Sequence, residues 1–314
     1  MDAPPRVSIV IPTYNVAPYL ATTLESVLGQ TFSETEVVLF DDGSKDDTVR
    51  IAEEYAARDP RVKVLRGNHG GAAAARNSGL AASDPRSEFV TFFDSDDVWE
   101  KHALETLVRA LEASPDAPGA HGLCRCIDSH GVPYPHDILA DDMRRRVAAV
   151  GDGLVLMPTT APTSFGALLV KNYITTPGVS LVRRSALQKV GPYERSVVPC
   201  EDWDMNLRLA RLGDFVFIDQ VLLNWRRHDG AVSLVSKRWR YAYDETRRRS
   251  IRARENTAAQ KQSARVALLS EVLGLQREAL KMLRGGAFGM ATKRFLRSAL
   301  LGAIWLGIPV PRKG

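Results

Sequence analysis

The carboxylates of this sequence fall in clusters. Asp94-Ser95-Asp96-Asp97 places three of them within four residues, where they repel one another unless solvated, capped or neutralised by a cation. Oxygen-only ligands suit Mg2+ or Mn2+, and such a cation binds through one or two carboxylates plus substrate phosphates. A solvated loop, with Asp96 or Asp97 capping a helix near Trp99, accounts for the same residues. Asp41-Asp42-Gly43-Ser44 offers a carboxylate to a base or ribose, or a helix cap. Glu201-Asp202-Trp203-Asp204 opens a helix. Glu201 or Asp202 there could act as a general base, and Asp204 could pair with Arg208 on the surface. Arg76, just after Gly70-Gly71, could pair with a phosphate or with Asp94. In Trp225-Arg226-Arg227-His228 the histidine is a core or surface residue, or a contact to metal or phosphate.

The elements that must position these residues are legible over the first hundred positions. Val7 to Ile11, Glu36 to Phe40, Val62 to Leu65 and Phe89 to Phe93 read as strands. Ala17 to Leu28, Thr48 to Arg58 (capped by Asp46 or Asp47) and Gly70 to Ala82 read as helices. Apolar strands separated by helices predict a mostly parallel sheet covered on both faces, with ligands at the strand C-terminal ends. After Ser114 the alternation weakens. Arg183 to Val190 and Glu201 to Leu212 read as helices, and Phe215 to Ile218 and Val221 to Trp225 as two strands. Arg238 to Leu283 reads as a long helical region broken at Gly274, and Ala287 to Leu306 as an amphipathic helix.

The 314 residues are 45% hydrophobic and 25% charged, enough for one large α/β domain with a smaller attachment. The net charge of +5 is mild and does not indicate nucleic acid. The basic residues gather late: Lys237 to Arg254 holds eight against two acidic ones, and no acidic residue follows Glu278. Three cysteines, Cys124, Cys126 and Cys200, form neither a disulfide framework nor a zinc pattern. Walker and G-x-G-x-x-G loops are missing, against P-loop phosphotransfer and dinucleotide dehydrogenation. The start Met-Asp-Ala-Pro-Pro does not read as a secretory leader. The apolar tract Ser298 to Val310 is short of the roughly 20 residues a membrane span needs.

The ordered series Ile11-Pro12-Thr13-Tyr14-Asn15, Asp41-Asp42-Gly43-Ser44, Gly71 to Gly79 with Arg76, Asp94-Ser95-Asp96-Asp97, Glu201-Asp202 and Trp225-Arg226-Arg227-His228 resembles the family 2 glycosyltransferases of the GT-A fold, over roughly residues 6 to 235. The resemblance implies a GT-A domain over residues 1–235, nucleotide-binding to 114 and acceptor-binding and catalytic beyond. A helical C-terminal extension, 236–314, would follow. It also implies inverting transfer of one sugar from a nucleotide-sugar, by preference a UDP-sugar, to an acceptor hydroxyl. Thr13, Tyr14 and Asp42 would hold the base. Asp94 would contact ribose or uracil, and Arg76 would support the pocket. Pro12, Asn15 and Ser95 would complete the donor site. Asp96 would hold the cation (Mg2+ or Mn2+), with His228 closing over it, and Arg226 or Arg227 would contact phosphate. Asp202 would be the base and Glu201 would touch acceptor or sugar.

No Q-x-x-R-W motif is present, against a processive synthase. Val150 to Thr163, with its glycines, threonines, Pro158 and Pro162, reads as a lid over the donor or as an ordinary structural loop. The acceptor expected is a saccharide or lipid-linked saccharide, in cell-surface polysaccharide or glycolipid synthesis. A protein acceptor or a non-catalytic nucleotide-sugar or polyanion binder is the alternative. The C-terminal helices could meet an anionic membrane surface or a second copy in a homodimer. A cytoplasmic protein, peripheral on the inner face of the membrane, is the expected location.

Overall fold

The computed structural model describes residues 4–229, 239–285 and 287–305. Its first half alternates β1 (Val7–Thr13), α1 (Ala17–Leu28), β2 (Thr35–Asp41), α2 (Thr48–Arg58), β3 (Val62–Arg66), α3 (Ala72–Ala82) and β4 (Phe89–Phe92). α1 buries Leu20, Thr23, Leu24 and Val27, the one-face spacing expected of a helix laid on a sheet. β1 and β2 run parallel from Val7↔Thr35 to Thr13↔Asp41, so both leave the sheet at the same edge. α3 lies close on β1 because residue 79 is glycine: a Cβ there would sit 2.5 Å from Val10 Cγ1.

The chain continues through β5 (Val98–Trp99), α4 (Ala103–Glu112), β6 (Gly119–Ile127), α5 (Leu139–Arg144), β7 (Val147–Val150), β8 (Gly153–Leu156), α6 (Phe165–Val170), β9 (Ser180–Arg183), α7 (Arg184–Val190), α8 (Glu201–Leu209) and β10 (Val216–Arg226). Eight strands form one sheet in the order β3-β2-β1-β4-β9-β6-β10-β5, while β7 and β8 form a separate hairpin. β9 is antiparallel to β4 and β6, and β5 to β10. The remaining pairings of the eight-stranded sheet are parallel, and the β7–β8 hairpin is antiparallel. This is a mixed, mostly parallel sheet flanked by helices, with α9 (Trp239–Arg252), α10 (Ala258–Arg284) and α11 (Phe288–Trp305) as a helical C-terminal extension.

Several expectations change. Val216 to Arg226 form one strand with register shifts between Phe217 and Leu223, not two strands; the bulge absorbs the polar Asp219-Gln220. The C-terminal helices break at 253–257, where Thr257 and Gln260 form a capping box, and not at Gly274, which is within α10. The residues after Asp97 form β5, and the next helix starts at Ala103, so neither Asp96 nor Asp97 caps a helix at Trp99. In α2 the N-cap position is Asp47, whose side chain makes no cap bond; Asp46 Oδ1 accepts from the Thr48 amide instead. Residues 150–163 are tied to the rest of the fold at several points. β8 pairs with β7 and packs on α10. The buried Arg146 donates to the carbonyls of Pro158 and Ala161, and Thr163 bridges to Phe215. Lys237, Arg238, Leu306, Val310, Arg312 and Lys313, and the side chains of Leu300, Ile304 and Trp305, lie outside the described residues.

Candidate active site

The loops after β1 and β2 are tied together at the sheet edge. Asn15 takes a positive φ of 51°. Its Oδ1 accepts from the Lys45 amide at 2.8 Å, and its amide donates to Ser44 Oγ at 2.9 Å. Asp41 Oδ2 accepts from the amides of Gly43 and Ser44, and Thr13, buried at the end of β1, donates to Asp41 Oδ1. Pro12 pairs in register with Phe40. Asp42 is buried and accepts from the amides of Gly70 and Gly71 at 2.8 Å each. The Tyr14 ring is 42% exposed, with the His69 ring 4.5 Å away and His69 Nδ1 3.4 Å from Asp42. Tyr14, His69 and Asp42 thus form one contact cluster at this sheet edge.

Arg76 joins two of the acidic clusters. It is buried on α3 and donates at 2.7 Å to Asp94 at the end of β4 and at 2.7 Å to Glu201 at the start of α8. Burial alone would lower the guanidinium pKa; Asp94 and Glu201 together hold it above its ordinary value. Both terminal nitrogens are held by carboxylates, so Arg76 links α3 to the acidic loop and to α8.

Asp96 and His228 meet at 2.8 Å, Oδ2 to Nε2, and both remain partly accessible. Tyr19 packs its ring 4.6 Å from that of His228. Asp97 is fully buried, accepting from the Arg226 amide at 2.9 Å, with Thr176 Oγ1 3.2 Å away. Burial, then Asp96 and Asp94, pushes its pKa well above the usual carboxylate range. Ser95 is buried, and its carbonyl accepts from Thr23. Arg226 is turned inward. Its guanidinium donates to the carbonyls of Asp96, Asp128 and Ser129 and so ties the acidic loop to the 128–129 turn. Arg227 stacks on Trp225 at 4.7 Å.

Asp202 is partly buried at the N-terminus of α8. Its Oδ1 accepts from the Trp203 amide at 2.7 Å, and its Oδ2 from Asn172 at 3.3 Å. A helix N-terminus favours the ionised carboxylate. Burial and the neighbouring Glu201 outweigh that, and the pKa is pushed up to about 7. Asp204 and Arg208 do pair, at 2.8 Å, but Asp204 is buried and the pair is internal. The chain of contacts from Asp94 through Arg76 to Glu201 connects the acidic loop holding Asp96 with the helix holding Asp202.

Four participants escaped the sequence reading: His69, Tyr19, Thr176 and Asn172. Only His69, just before Gly70-Gly71, stands beside a motif that could have pointed to it. A divalent cation fits the Asp96–His228 pair, because both donors converge and both are accessible. Two protein donors leave the remaining positions to phosphate oxygens and water. Among the described residues no group of three or more His, Cys, Asp or Glu could hold a metal by itself.

The profile of glycosyl transferase family 2 matches residues 8–191. Chondroitin synthase of Escherichia coli is 27% identical over 230 residues, 73% of this chain and 30% of the synthase. The chain spans about a third of the length of the curated relatives it matches. The crystal structure of S. aureus TarS 1-349 in complex with UDP-GlcNAc superposes with a TM-score of 0.64 at 17% identity, covering 98% of this chain and 93% of that one. The mannosyltransferase PcManGT from Pyrobaculum calidifontis, in complex with GDP-Man and Mn2+, gives 0.56 at 19% identity, covering 97% and 87%. These structural likenesses establish the GT-A fold. With its matched profile spanning more than half its length, the chain belongs to glycosyl transferase family 2.

Proposed function

We propose that this protein is an inverting glycosyltransferase. It moves one sugar from a nucleotide-sugar, by preference a UDP-sugar, to a hydroxyl of a saccharide or lipid-linked saccharide in cell-surface polysaccharide synthesis. The observation that carries this reading is the contact chain from Asp94 through Arg76 to Glu201, which couples a carboxylate loop suited to a diphosphate's cation to a carboxylate suited to proton removal. The names of the relatives, chondroitin synthase among them, support the substrate class.

In this reading the nucleoside base lies against Tyr14, beside Asp42 and His69. Asp96 and His228 hold the divalent cation (Mg2+ or Mn2+), which neutralises the charge that grows on the departing diphosphate. Asp202 takes the proton of the acceptor hydroxyl as that oxygen attacks the anomeric carbon from the side opposite the diphosphate. The C1–O bond to the diphosphate breaks, and the configuration inverts in one displacement. A carboxylate whose pKa lies near 7 is poised for this transfer at neutral pH. Glu201 keeps one oxygen on Arg76 and holds the start of α8 against the donor loop.

The test is binding and turnover of a panel of nucleotide-sugars with and without Mg2+ or Mn2+. One donor is expected to bind only with metal. Asp96→Ala is expected to abolish that binding, and a chelator to remove it from the unaltered protein. Failure of every donor to bind a folded sample under every metal condition would sink the reading.

A further inference from the structure

The chemistry above leaves one feature unused. On the α10–α11 hairpin, Leu280, Phe288, Met290, Phe295 and Leu296 are exposed, Phe288 and Leu296 each to 67%. Phe288 and Phe295, seven residues apart, share one face of α11, and exposed large apolar side chains on a shared face mark an interaction site rather than ordinary scatter. Cations surround them: Lys281, Arg284 and Lys293 are exposed and pair with no carboxylate among the described residues. No acidic residue follows Glu278 anywhere in the sequence, and Glu278 itself is taken by Arg294 at 3.2 Å. On the inner side, Ala291 and Ser298 are buried, and Arg297 pairs with Glu271, so α11 has a fixed orientation and a defined outer face.

We propose that this hairpin docks on an anionic phospholipid surface. The exposed apolar side chains would enter the headgroup–acyl boundary, while Lys281, Arg284 and Lys293 meet lipid phosphates. Charge decides between lipid and a second copy of the chain. Two copies brought together through this face would oppose cation to cation with no acidic residue to answer them, whereas an anionic bilayer complements it. Contact is with the surface, since no helix among the described residues is long and apolar enough to cross a membrane. The inference stands apart from the identity of the donor sugar, and its test does not depend on turnover.

The full chain is floated with phosphatidylcholine vesicles, with and without phosphatidylglycerol, at low and high salt. The expected result is flotation with the phosphatidylglycerol vesicles that falls at high salt. Lys281→Glu with Lys293→Glu should weaken it at least about ten-fold, since each surface cation contributes about five-fold. Phe288→Ser with Phe295→Ser and Leu296→Ser should abolish it, with far-ultraviolet circular dichroism unchanged. Binding that is equal on neutral and anionic vesicles, or absent from both, overturns the proposal. So does sedimentation equilibrium showing a dimer that the serine variant dissociates, without vesicle binding by the unaltered protein.

Discussion

Asp202 owes its chemistry to its neighbours more than to its place in the sequence. Burial and Glu201 raise its pKa to about 7, and Arg76 and the Trp203 amide oppose the rise. A base works only when deprotonated, so kcat/KM is expected to climb with pH up to about 7 and level off above it. Glu201→Gln removes a negative neighbour, lowers the Asp202 pKa and should move that limb to lower pH; an unmoved limb would contradict the coupling. Asp202→Asn should reduce kcat by about 10²–10⁴, the usual range for a positioned general base, and leave metal-dependent donor binding in place by calorimetry. At this scale the sequence is a good guide to carboxylates, because Asp94 to Asp97 and Glu201-Asp202 are local patterns. It is a poor guide to Thr176 and Asn172, which reach the site from a stretch with no periodicity. Nor does anything local in the sequence announce that the Arg226 guanidinium is bonded to three backbone carbonyls.

Elements explain why those residues meet. The β1 and β2 registers end together, so the Tyr14 and Asp42 loops are neighbours, and α3 carries Arg76 from the same edge toward α8. The strands and helices of this half were legible because buried parallel strands are nearly continuous apolar runs and their helices have one clear face. β10 was misread as two strands because a bulge resembles a turn when only polarity is visible. The 253–257 break was missed because a glycine inside a helix draws attention that the Thr257–Gln260 cap deserved more. The α3–β1 contact gives a prediction at this scale. Gly79→Ala forces a methyl group to 2.5 Å from Val10 Cγ1, and overpacking of this kind costs about 1–3 kcal/mol. Urea unfolding should show that loss. Because α3 also carries Arg76, turnover should fall further than for Gly274→Ala, where an added Cβ meets no atom within 4 Å.

Across the whole molecule, the C-terminal extension shares the enzyme's core. Ala242, Ala264, Val266 and Ala267 belong to the same buried apolar cluster as Leu24, Phe93 and Trp203. Tyr243 stacks 4.7 Å from Trp203, one residue past the proposed base. Arg247, also buried, donates to the Leu169 carbonyl at 2.6 Å. The sequence suggested an attachment, since charge and motif content both change near residue 235; burial by a distant helix leaves no such trace. A shared core predicts shared unfolding. Ala267→Asp places a charge where the side chain is 5% exposed, and an unpaired buried charge costs several kcal/mol. Calorimetry should show a single transition in the unaltered protein, and in the variant a lower Tm for that same transition with donor binding lost alongside it. A variant that kept the main transition and donor binding while losing only a separate, smaller one would mean that α9 to α11 fold apart from the catalytic sheet.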